Sequence, residues 1–185
     1  VHIDIIEDTG DEAPAAVFPS DDDTPDLREN PHQIEQMPAA RRHAPLRNFL
    51  ISVNGPESIL ATGNITIKSD PLSAVSSSAA QEFASQIDIV FAVPSLSWER
   101  RHYVDLRSGL KELLERDSSD SLRMALRISR CDFRAEKRNG FCLAVRLVAE
   151  GNSEQQAELR WGLGLARLQQ ALLFSSRALK QQVGE

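Results

Sequence analysis

Hydrophobic and polar positions alternate with two different periods along this chain, and the clearest stretch is a long hairpin. Leu122, Met124, Leu126 and Ile128 form one face of a first strand, and Phe141, Leu143, Val145 and Leu147 one face of a second. Between them Asp132 to Gly140 reads as a polar loop closing on the turn dipeptide Asn139-Gly140. The run Ile87 to Val93 is apolar on both parities apart from Asp88, which predicts a strand covered on two faces and central in a sheet. Phe49, Ile51 and Val53 alternate and predict a strand ending at Asn54-Gly55-Pro56; Ile65 and Ile67 predict another.

Helical spacing governs three segments. Asp70-Pro71 supplies a cap and a first-turn proline for a Ser/Ala-rich helix through about Ser85, with a weak face of Leu72, Val75, Ala79 and Phe83. After Glu99-Arg100-Arg101-His102, Leu106, Leu110, Leu113 and Leu114 make one amphipathic face. A last helix, about 153–182, opens on a Ser153/Gln156 capping box and carries two apolar stripes. Trp161, Leu165, Leu168, Leu172, Ser175 and Leu179 form the first; Leu159, Leu163, Ala166 and Leu173 lie almost opposite. One stripe suffices to cover a sheet, so the other needs a second partner, either the Leu106–Leu114 helix or a copy of itself. Gly162 and Gly164 each cost about 1 kcal/mol in a helix interior and point to close backbone packing or a bend there.

The order of these elements predicts an α+β fold: a mixed, mainly antiparallel sheet of about five strands, helices mainly on one face, and a long C-terminal helix. A flexible acidic N-terminal arm completes the expectation. Residues 1–45 hold six of the nine prolines and show no sustained apolar period, so they are expected to stay outside the core of a single domain spanning 46–185. Within the arm, Val1, Ile3 and Ile5 alternate with His2 and Asp4, a pattern able to add a strand to an exposed sheet edge.

Charge sharpens the division. The first forty residues hold eleven acids and the single base Arg28, a net of −10, which leaves +4 for the rest of a chain whose total is −6. Basic side chains gather on the hairpin: Arg123, Arg127, Arg130, Arg134, Lys137, Arg138 and Arg146, opposed there only by Asp132 and Glu136. Such a group suits a nucleic-acid backbone, an acidic protein segment such as the chain's own arm, or simply a solvated strand face.

Candidate chemistry is sparse. Of the four histidines only His102 adjoins predicted structure, no Gly-x-Ser-x-Gly or phosphate-loop signature occurs, and an ordinary surface role for His102 is expected. Cys131 and Cys142 fall short of the four ligands of a structural metal site and are expected to be small buried thiols in a reducing setting, diagonal to each other across the hairpin. Aromatics at 5% make base stacking an improbable theme. No segment approaches a membrane span, and the N-terminus lacks the order of a secretory signal, although a chain beginning with Val leaves processing or fragmentation open.

The expectation is therefore a cytoplasmic, non-enzymatic interaction or structural module without metal or cofactor. It assembles with itself or a larger complex through Trp161, Leu165, Leu168, Leu172 and Leu179 of the last helix, together with the basic hairpin. Nucleic-acid binding by the hairpin, with the acidic arm as competitor, is the alternative.

Overall fold

The computed structural model describes residues 1–6, 16–18, 26–71, 81–115 and 121–183. Strands β1 (His2–Ile6), β2 (Ala16–Phe18), β3 (Leu60–Pro71), β4 (Gln81–Phe91), β5 (Leu122–Phe133) and β6 (Arg138–Gly151) form one mixed sheet. Its order is β1-β5-β6-β4-β3, with β2 also on β5; β1 and β2 run parallel to β5 and the other pairs are antiparallel. Helices α1 (Pro38–Arg42), α2 (Ala44–Val53), α3 (Arg100–Glu115) and α4 (Glu154–Val183) and two 3-10 helices, Pro31–Gln36 and Pro94–Trp98, accompany the sheet among the described residues. The α+β class, the central place of the Ile87 strand, the hairpin and the long last helix all agree with the sequence reading.

Alternation builds the core. Met124, Leu126 and Ile128 of β5, Leu143, Val145 and Leu147 of β6, and Phe83, Ile87 and Ile89 of β4 point to one face, where they meet Phe49 and Leu50 of α2, Leu106 and Leu110 of α3, and Trp161, Leu165, Leu168 and Leu172 of α4. The opposite face carries a smaller cluster of Ala16, Ala61, Val90, Cys131, Phe133 and Cys142.

Three elements depart from the expectation. The segment holding Phe49, Ile51 and Val53 is α2, not a strand: Leu46, Phe49, Leu50 and Val53 are buried at helical spacing and Ile51 is exposed. Two-residue alternation and a helical face coexist in this run, and Pro45 in the first turn marks the helix start. The helix expected from Asp70 to about Ser85 is replaced at both ends by strand, Asp70-Pro71 closing β3 and Gln81–Ser85 opening β4, while 72–80 lie outside the described residues. Phe83, Ser85, Ile87, Ile89 and Phe91 are one continuous buried row, interrupted in hydropathy by Ser85 alone. In the hairpin the turn is only Arg134–Lys137, with Lys137 at φ 49° taking the left-handed position, so Asn139 and Gly140 belong to β6.

The acidic segment is also corrected in its described part. β1 pairs with β5 from His2↔Arg123 to Ile6↔Arg127, the strand addition that the Val1–Ile5 alternation allows. Val1, Leu27, Ile34 and Ala40 join the main core. Arg28 secures this stretch, donating to the carbonyls of Ser58 at 2.7 Å and Gly55 at 3.2 Å. Single apolar anchors between prolines, too sparse to show a period, suffice because the backbone around them is held by turns and a 3-10 helix (Pro31–Gln36).

Candidate functional site

Helix α4 is positioned first by its cap. Ser153 Oγ accepts from the Gln156 amide at 3.2 Å, and Gln156 Oε1 accepts from the Asn152 amide at 2.7 Å, so the paired side chains satisfy amide donors at the helix entry. Trp161 fixes its rotation. The indole is fully buried against Phe83 and His43, and its Nε1–H donates to Ser85 Oγ at 2.8 Å. His43, ahead of α2, meets Glu158 at 2.6 Å through Nδ1 and ties the start of α2 to α4.

Close approach explains the two glycines. A Cβ on Gly162 would stand 2.9 Å from Pro45 Cγ, and one on Gly164 2.8 Å from Leu122 Cδ2, so both accommodate packing rather than a bend. α4 consequently lies on the sheet with α2 along one flank and α3 along the other.

Its burial settles which stripe meets the protein. Trp161, Leu165, Leu168 and Leu172, expected on a partner surface, are fully buried and cover the sheet; Leu179 is half-buried beside α3. Their 3.6-residue face is core, and replacing any of them tests folding before it tests association. The outward face carries Leu159 at 66%, Leu163 at 57% and Phe174 at 61% exposure, with Ala166 and Gln170 also exposed between them. Beside it, a groove of about 650 Å³ between α2 and α4 is floored by Pro45, Gly162, Leu163 and Ala166 and edged by Asn48 and Gln155. Large apolar side chains thus stand around small ones, with amides at the rim.

The basic hairpin does not form one stripe. Arg123 is paired with Glu150 at 2.7 Å and Glu82 at 3.7 Å. Arg127 donates through Nε to Ser129 Oγ at 2.9 Å and faces Asp88. Arg130 has the opposite strand parity to Arg123 and Arg127, so it belongs to the other face. Arg134, Lys137 and Arg138 crowd the turn, where the Arg138 guanidinium lies 4.9 Å over the Trp98 ring. Arg146 stands on the same face as Arg127, opposite α4.

The reactive side chains are occupied structurally. His102 Nδ1 meets the Leu96 carbonyl at 2.8 Å. Cys131 and Cys142 are both buried free thiols, and Cys142 is pushed well above the ordinary thiol range by its contact with Cys131 and by burial. Among the described residues no three His, Cys, Asp or Glu side chains converge, and no helix is long and apolar enough to cross a membrane.

The sequence reading missed Asp88. Its carboxyl is buried on the sheet face opposite α2, α3 and α4, and burial raises its pKa to about 6 against the opposing pull of a Gln86 hydrogen bond and the Arg127 charge. The one polar residue in an otherwise apolar strand run was its signal. Comparisons of the chain with protein-family models, with curated proteins and with solved structures returned no match.

Proposed function

We propose that this protein is a non-enzymatic interaction module that pairs with a second copy of itself through the outward face of α4. The exposure of Leu159, Leu163 and Phe174 on a helix whose other face is fully packed carries the reading. The outward positions Leu159, Leu163, Ala166 and Gln170 follow the four-three spacing of a helix-pairing seam. Ala166, small and exposed near the middle of the helix, suits a crossing point at which two backbones come close. Charge favours an antiparallel partner: Glu154 and Glu158 lie in the first turns, Arg177 and Lys180 in the last, and an antiparallel copy brings acids and bases together.

Sedimentation velocity across a concentration series tests this. The wild type should show reversible dimerisation, and Leu163→Glu, at an exposed position, should weaken it by about 2 kcal/mol or more while leaving the far-UV circular dichroism unchanged. A wild type that stays monomeric at the highest concentrations, or a Leu163→Glu chain that dimerises equally well, overturns self-pairing through this face.

A further inference from the structure

The face of the sheet opposite α4 holds a recess that the α4 surface does not use. Strand register makes it. Asp88 of β4 lies opposite Ala144 of β6, which lies opposite Arg127 of β5; in the neighbouring row Gln86 lies opposite Arg146, which lies opposite Ala125. Because side chains in each row stand on the same face, Ala144 and Ala125 leave low points between long polar neighbours. β1 ends at Ile6, paired with Arg127, and β2 begins at Ala16, paired with Cys131, so Ile6 and Ala16 form the remaining wall over Ser129. The resulting cavity measures about 220 Å³.

Its polar groups converge and are held in place. Arg127 Nε donates to Ser129 Oγ at 2.9 Å, fixing the guanidinium plane beside the recess and leaving the Ser129 hydroxyl hydrogen free to point elsewhere. Asp88 is only 4% exposed and its carboxyl offsets one positive charge at most, leaving Arg146, which is itself exposed, as a second guanidinium at the same cavity. Among the described residues that line the recess, two guanidinium groups stand against one carboxylate, which disfavours a cationic ligand; Asp4, in the same row opposite Ala125, is exposed and does not line it. The volume lies below the roughly 300–1,000 Å³ of drug-sized sites, which restricts the occupant to a few heavy atoms.

We propose that this recess is a binding site for a small oxyanion, a carboxylate or phosphate group, gripped between the guanidinium groups of Arg127 and Arg146 with Ser129 and Gln86 as additional donors. Planar guanidinium forks match the oxygens of either group, whereas chloride offers no such geometry.

Titrating the full chain with sodium phosphate or sodium acetate, at constant ionic strength made up with sodium chloride, distinguishes the two sources. Amide NMR signals of Arg127, Ser129, Ala144 and Arg146 should shift saturably with the preferred anion. Arg146→Gln should weaken that binding by about tenfold or more, as loss of a charge-assisted hydrogen bond requires. Ala144→Leu should abolish it by filling the recess while keeping both arginines. Saturation by acetate alone assigns a carboxylate site, by phosphate alone a phosphate site. Shifts that are absent or linear with both anions, or binding that Ala144→Leu leaves intact, overturn the proposal, the last because it reduces the effect to diffuse surface charge.

Discussion

Asp88→Asn should remove a pH dependence of stability that the wild-type chain carries. With the ordinary value at 3.8 and the folded value at about 6, the folded protein keeps a proton on Asp88 through a window in which the unfolded chain has lost it. Stability relative to the variant therefore falls as pH rises from about 4 to about 6. It is unaffected by this group below the window, and the full cost is present above it. Each tenfold difference in proton affinity is worth about 1.4 kcal/mol, so the cost above the window comes to about 3 kcal/mol. Little solvent discount applies to a residue with 4% exposure. Among the described residues, Asp88 faces Arg127 from β5, Arg146 and the Cys142 thiol from β6, and Gln86 of its own strand, with Ile6 of β1 and Ala16 of β2 at the same recess. Contributions of other carboxylates and histidines cancel when wild type and variant are subtracted. Urea unfolding of both proteins at half-unit steps from pH 4 to 7.5 measures that difference. A flat difference across the window would refute the burial argument, and a difference that grows in favour of wild type with rising pH would mean that the Arg127 attraction outweighs desolvation.

Ser85→Ala should cost about 1–3 kcal/mol in chemical denaturation, because the Trp161 Nε1–H loses its acceptor inside the core, and the loss should shrink in a Trp161→Phe background. Gly151→Ala should destabilise by about 1–3 kcal/mol, since the new Cβ would meet the Ala157 backbone nitrogen at 2.5 Å, where no side chain can swing aside. An unchanged midpoint for Gly151→Ala would count against the close seating of α4 on the end of β6. Leu168→Asp should abolish cooperative unfolding rather than merely dissociate an assembly, a difference visible in near-UV circular dichroism.

How far the sequence foretold this structure depended on whether one period dominated locally. The β5–β6 hairpin, α3 and α4 each carry a single strong pattern or a cap, and all three stand near their expected positions. α2 is ambiguous in sequence because Phe49, Ile51 and Val53 satisfy strand alternation while Leu46, Phe49, Leu50 and Val53 satisfy a helical face. In β4 one inward serine, present to receive the Trp161 indole, broke the hydropathy of an otherwise regular row. The two apolar stripes of α4 are legible in sequence, but only the packing of Trp161 beside Phe83 and His43 decides which stripe the sheet takes. The recess around Asp88 depends on β1, β5, β6 and β4 standing side by side, an adjacency no local pattern encodes.

The parallel pairing of β1 with β5 imposes an order on folding. His2 meets Arg123, and the strand it joins is complete only after most of the sequence has been synthesised. Closing so long a loop costs entropy before any ladder bond repays it, so β1 is expected to dock late onto a preformed hairpin. During translation Val1, Ile3 and Ile5 must therefore wait beside a ribosome-bound chain without their strand partner. The acidic residues that follow them, Glu7, Asp8, Asp11 and Glu12, put like charge on every nascent chain, so mispairing of the waiting strand between neighbouring chains is expected to be disfavoured over that interval.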